Sequence, residues 1–221
     1  MRMNTATAVG GFHPATAGAV PTGWAGTPAL AWAAEQRILA AGSQGGSCHE
    51  ITAGIVRLER VTAAGHRRII RLAGPGDLIG QEALLGQPYR NDAVACTPVL
   101  LRRLALPPAG AGPQGLLPST LLQRWQQTLD ASEFWCTEIS AGNARRRMLQ
   151  LLAQLQCHRD DRGLVWLPKR DQMGDMLHLT VETCSRVLSA LRREQVIVLA
   201  PPRQAWLDTQ RLQAALALAD H

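Results

Sequence analysis

The chain has 221 residues, of which 46% are hydrophobic but only 4% aromatic, and its formal net charge is +6. That length suits one large or two modest domains, the core must be aliphatic and rich in alanine, and no run approaches the ~18 apolar residues of a membrane-spanning helix. The positive excess leans towards the C-terminal part, where 12 Lys and Arg stand against 8 Asp and Glu from Asn143 onward, which is the direction nucleic-acid binding favours.

Residues 1–28 are full of Gly, Pro, Thr and Ala and read as a flexible arm with no secretory signal, so a cytoplasmic location is expected. Alanines 29, 31, 33 and 34 favour a short helix over 30–39. Beyond it the period shifts towards two. Ile55, Val56, Leu58 and Val61 alternate with polar residues, residues 67–72 repeat the theme, and residues 62–66 are a natural hairpin connection. Gly74, Pro75, Gly76 and Asp77 form a turn, followed by Leu78 and Ile79, a short helical piece over 82–85, and further strands over 91–96 and 99–104. Short strands separated by Gly and Pro turns imply a small antiparallel barrel or sandwich.

A break over 107–118 precedes a long helix predicted for 119–141. A helix of 23 residues would be about 34 Å long, well beyond the ordinary globular length, and Leu122, Trp125, Leu129 and Ile139 lack an obvious shelter along it. They are the expected homodimer seam; the alternative is that the helix lies across its own barrel. Asn143 caps the next helix, predicted for 144–155, and Leu164, Val165, Trp166 and Leu167 form an extended segment before Pro168.

Two short helices joined by a tight turn follow, over 171–177 and from Thr180 to about Glu194. Thr180 is an N-cap, since its hydroxyl can accept an orphan amide hydrogen. Val181, Cys184, Val187, Leu188 and Leu191 give the second helix one apolar face, while Glu182, Ser185, Arg186, Ser189 and Arg193 occupy the other. A helix that packs by one side and reads a DNA major groove by the other needs that division. A plain helical hairpin with a solvated polar face is the alternative. Glu182, Ser185 and Arg186, three and four apart, are the candidate base-reading residues; Arg170, Thr180, Thr183, Arg192 and Arg193 are candidates for the DNA backbone. Cys184 is either core or a redox thiol whose oxidation would unseat the helix. A strand over 196–199, Pro201 and Pro202, and a strand over 204–207 make a wing, before a last helix over 210–218 capped by Asp208 or Thr209.

In order and wording these elements resemble the Crp/Fnr family of bacterial transcription regulators over most of residues 30–218. GDLIGQEALLGQPYRNDAVA is similar to the family's effector-domain helix and loop, ARRRMLQLLAQL to the helix after the dimerisation helix, and RDQMGDMLHLTVETCSR to its helix-turn-helix. LTVETCSRVL resembles the recognition helix of the Fnr and FixK branch. The resemblance implies an α+β chain: a cyclic-nucleotide-binding-like β-roll over 29–116, a dimerisation helix over 117–142 and a winged helix-turn-helix over 143–221. It further implies double-stranded DNA, a second copy and RNA polymerase as partners, and half-sites of the form TTGAT.

The family's effector pocket maps onto Gly80, Glu82, Arg90 and Asn91. Members that bind a cyclic nucleotide use a Gly-Glu pair and an Arg followed by Ser or Thr; here the places read Gly80, Gln81, Glu82 and Arg90, Asn91, so such binding is not expected. Iron–sulfur members carry a cysteine cluster near the N-terminus, whereas the first cysteine here is Cys48. The haem-binding carbon monoxide sensor has a Cys and a His in the loop that here spans 78–90, and this loop has neither. No resident cofactor or metal is expected; a haem- or thiol-responsive regulator of the same fold is the alternative, as is a cyclic-nucleotide-binding-like module without DNA binding. The five cysteines include no close pair for a zinc knuckle, and no hydrolase, P-loop or dinucleotide fingerprint suggests an enzyme. His178 stands where the family's turn commonly has glycine. A left-handed backbone there would cost about 1 kcal/mol.

Overall fold

The computed structural model describes residues 29–104 and 119–219. The expected arm over 1–28 and the break over 107–118 lie outside the described residues. Eight strands come first: β1 (Ala29–Trp32), β2 (Arg37–Leu39), β3 (Cys48–Ala53), β4 (Val56–Val61), β5 (Arg67–Ala73), β6 (Leu78–Ile79), β7 (Asp92–Ala95) and β8 (Val99–Leu104). They pair antiparallel in two four-stranded sheets of order β1-β8-β3-β6 and β2-β7-β4-β5. Inward residues of both sheets, among them Ile51 and Leu101 from one and Val56, Ala73 and Ala93 from the other, share one core. Each fully buried Ile or Leu contributes roughly 1.5–3 kcal/mol by area. This is the expected N-terminal β-roll.

The helix expected over 30–39 is not there. β1 and β2 replace it, because β1 lays its backbone along β8 from Ala29 opposite Arg102 to Trp32 opposite Val99. Glu35, at φ 66°, turns the chain between them. Alanine's helix preference, a fraction of a kcal/mol per residue, is outweighed by a completed sheet ladder. The hairpin at 62–66 forms as read, with Val61 opposite Arg67 and the Thr62 amide donating to the His66 carbonyl. The apolar stretch before it is broken at Gly54, whose φ is 88° and where a Cβ would sit 2.2 Å from the Pro98 carbonyl oxygen.

α1 (Ser119–Phe134) continues into a π-helical segment, Trp135–Ile139, and stops short of the expected 141. Gly142 at φ 81° redirects the chain and Asn143 caps α2 (Ala144–Gln156), its Oδ1 accepting from the Arg146 amide at 2.9 Å. Thereafter come β9 (Leu164–Trp166), α3 (Arg170–Leu177), α4 (Val181–Arg193), β10 (Ile197–Ala200), β11 (Gln204–Leu207) and α5 (Thr209–Ala219). The three strands form one small sheet of order β10-β11-β9, which is the wing. No described helix is long and apolar enough to cross a membrane.

The two halves share a core. Ile55, Ile69, Leu72 and Cys96 of the β-roll belong to the same buried cluster as Trp135, Ile139 and the interior of α2, α3 and α4. Ion pairs cross the same joint: Arg67 on β5 reaches Asp175 at 2.7 Å and Asp171 at 3.6 Å on α3, and Arg203 at the wing reaches Glu35 at 2.9 Å. Ile139 is thereby removed from the expected dimer seam, being fully buried within its own chain. Leu122 and Leu129 remain about half exposed on α1, with Trp125 partly covered between them.

Candidate nucleic-acid interface

α3 and α4 are set at their angle by three local devices. The Lys169 amide donates to Gln172 Oε1 at 3.0 Å and opens α3. At its end His178 adopts φ 55°, ψ 45°, the left-handed turn that its sequence position foretold. The Leu179 amide closes back on the Gly174 carbonyl at 3.2 Å, and a Cβ on Gly174 would lie 2.7 Å from the Leu179 carbonyl oxygen. Gly174 is therefore the glycine this turn cannot replace without moving, while position 178 tolerates a side chain. Thr180 then caps α4, its Oγ1 accepting from the Thr183 amide at 3.2 Å.

α4 divides as its pattern implies, with one exception. Cys184, Leu188 and Leu191 are buried in the common core and Val187 is partly so, but Val181 is 44% exposed. Glu182, Arg186, Ser189, Arg192 and Arg193 are exposed and Ser185 is half-buried beside them. Glu182, Ser185 and Arg186 thus share the outward face at the N-terminal end of α4, within reach of anything the helix enters. Among the described residues Glu182 and Arg186 form no ion pair with each other, and Arg186 has no partner at all. The backbone amide of Glu182 and the Thr180 hydroxyl hold the Glu182 carboxyl below its ordinary range, so it is charged at neutral pH.

The backbone-contact candidates separate. Arg192 and Arg193 are free on the surface at the end of α4, and Thr180 is exposed. Thr183 is half-buried and holds the cap. Arg170 is half-buried, its Nη1 resting on the Met173 sulfur at 3.6 Å, and burial lowers its pKa. Cys184 is fully buried and its thiol is pushed up by burial, which leaves it as packing and opposes the redox reading. Nothing in the sequence pattern pointed to Arg203. It donates to Gln172 Oε1 at 2.7 Å and stacks 5.4 Å from the Trp166 ring, pinning the wing to α3. In the structure Arg203 turns the chain at φ 91° after Pro201 and Pro202, which the sequence marks only as part of the wing.

In the β-roll, Glu82, Arg90 and Asn91 line one cleft of about 240 Å³, which α1 closes with Trp125, Thr128 and Ser132. Gly80 does not line it: it is buried at φ 74°, with the Ser47 carbonyl and the Tyr89 ring each 2.9 Å from where a Cβ would stand. Of the effector-pocket candidates, Glu82 and Asn91 hydrogen-bond within the protein. Glu82 Oε1 accepts from the Arg90 amide at 3.1 Å, and Asn91 Oδ1 from Arg60 Nε at 3.1 Å. Among the described residues no three His, Cys, Asp or Glu side chains are grouped to hold a metal ion.

Comparison with known proteins agrees with this architecture in both halves. A cyclic nucleotide-binding domain model matches residues 30–107, and a Crp-like helix-turn-helix domain model matches residues 146–215. Transcriptional activator protein FnrL of Cereibacter sphaeroides is 29% identical over 181 residues, covering 77% of this chain and 72% of FnrL. Nitrogen fixation regulation protein FixK of Rhizobium meliloti is 27% identical over 187 residues, 84% of each chain. Among solved structures, FixK2 from Bradyrhizobium japonicum superimposes with a TM-score of 0.70 at 25% identity, over 86% of this chain and 96% of that one.

Proposed function

The chain belongs to the Crp/Fnr family of bacterial transcription regulators, with a DNA-binding helix-turn-helix, and from that premise we propose that it acts as a homodimer reading an inverted repeat of TTGAT-like half-sites. The observation that supports the reading most is the outward face of α4. A charged Glu182 and an unpaired Arg186 project from a helix whose other side is sealed in the core. Arg186 offers two parallel donors to guanine O6 and N7, Glu182 accepts from a cytosine N4 amine, and Ser185 suits either polarity or a thymine methyl. Phosphates are met by Arg192 and Arg193 and by the Thr180 end of α4.

A two-fold partner is part of the same reading. Two recognition helices must sit about one helical turn apart, roughly 34 Å, to enter successive major grooves. Leu122 and Leu129, exposed on α1 with Trp125 between them, form the apolar stripe for that pairing. RNA polymerase is the partner that a bound dimer would recruit or block. No resident metal or haem is invoked.

Titrating the duplex TTGAT-N4-ATCAA against a shuffled duplex of the same composition, at fixed salt, tests the proposal. The inverted repeat is expected to bind at least 10³-fold more tightly, the lower bound for specific over non-specific recognition. Equal affinity for the two would mean that Glu182, Ser185 and Arg186 do not read bases.

A further inference from the structure

The turn between α3 and α4 gathers basic side chains from three elements. His178 lies exposed in that turn, two residues before the cap of α4. Arg147 of α2 is half-buried and held beside it: its Nε donates to the Gly142 carbonyl at 2.9 Å, and its Nη1 to the carbonyl of Leu177, the residue before His178, at 3.1 Å. β5 is brought to the same place by Arg67, whose partner Asp175 is one turn ahead of His178 on α3. Arg68, next along β5, is half-buried, and among the described residues its side chain has no hydrogen-bond or ion-pair partner. Burial, then the charge of Arg68, then that of Arg147 push the His178 imidazole down. The carboxylates of α3 and of the first turn of α4 are engaged elsewhere, Asp171 and Asp175 with Arg67, and Glu182 with its own amide and the Thr180 hydroxyl.

We propose that Arg68, Arg147 and His178 together hold one phosphate of the DNA backbone, so that the β-roll itself touches the operator. This contact, which presupposes the DNA-binding reading above, adds to it a cation from the sensor half and a proton. In a helix-turn-helix the first helix crosses the sugar–phosphate backbone while the second enters the groove, which brings the turn between them against a strand. Phosphate contacts of this kind fix the register of the protein on the duplex and carry no sequence information. Glycine would sit at 178 with less strain, but only a side chain there can reach a phosphate. In the free protein the two arginines keep the imidazole neutral at pH 7. A phosphate placed among the three groups favours the imidazolium instead, so binding takes up a proton. The sign follows from linkage: affinity is flat at high pH and rises as the pH falls through the raised value that His178 has in the complex.

The test uses the full chain, the duplex TTGAT-N4-ATCAA and its shuffled counterpart, each titrated over a salt series at pH 8 and at pH 6. Arg68→Gln removes a side chain with no partner in the fold, and should reduce the slope of log affinity against log salt by about 1 per subunit on both duplexes. Wild-type affinity should tighten by roughly threefold or more from pH 8 to pH 6. His178→Asn, a residue that tolerates the left-handed turn, should lose that tightening. His66, the other imidazole on this edge, stays in place in every variant, and thermal unfolding confirms that each is folded. A salt slope unchanged in Arg68→Gln, or a pH response that survives in His178→Asn, would overturn the proposal. Equal affinity for the two duplexes would instead remove base reading while leaving this contact standing, and binding to neither would overturn both.

Discussion

His158 shows how one side chain can report on the joint between the halves. It follows α2 and packs beneath Gly74, where a Cβ would come within 2.2 Å of its ring, and burial pushes its imidazole down to about 4. The unfolded chain takes up that proton near 6.5, so between about pH 6.5 and 4 the unfolded state binds more protons than the folded one. The stability that neutral His158 represents is complete above pH 6.5 and is lost as the pH falls towards 4. Between pH 7.5 and 5 it should amount to at most about 2 kcal/mol. Urea unfolding at both pH values should show the wild type losing more stability than His158→Gln; equal losses would place the imidazole in water. The residue scale is also where the sequence is most legible. Thr180, Asn143 and His178 were readable as caps and turn because each acts on its own neighbours. Arg203 and Arg67 were not, since their partners Glu35 and Asp175 lie 168 and 108 residues away.

Elements were legible where the hydrophobic period was unambiguous and illegible where tertiary pairing decided. β4, β5 and the hairpin between them follow from alternation, and α4 from its three- and four-residue spacing, whereas residues 30–39 look helical and pair as strands with β8 and β7. α1 is the intermediate case. Its long apolar series was correctly seen as a helix, but periodicity cannot say which apolar residues are already covered. Leu121 and Ile139 are, while Leu122 and Leu129 are not. The consequence is specific. Leu129→Glu should shift the chain from dimer to monomer in sedimentation at micromolar concentration, because a carboxylate in an apolar seam costs several kcal/mol. The equivalent change at Gln127, exposed on a different face of α1, should leave the dimer intact. A wild-type monomer at that concentration would remove α1 from the account.

At the scale of the whole molecule, the β-roll and the helix-turn-helix are parts of one packed body. Ile55, Ile69 and Leu72 lie under the DNA-binding half, and Arg67 and Glu35 reach across to α3 and the wing. The order of domains was readable from turn chemistry, patterning and family likeness, but this shared core was not, because an apolar residue on a strand does not announce which layer will cover it. The same body holds α4 by its buried face and leaves Glu182, Ser185 and Arg186 outward, and base reading by that face is the central claim. The direct test is a double-mutant cycle between Arg186→Ala and replacement of the central G·C pair in both TTGAT half-sites, with affinities taken at one salt concentration. If Arg186 reads that guanine, each change alone should cost about 1–3 kcal/mol per half-site and the pair together little more than either. Strictly additive losses would contradict the account.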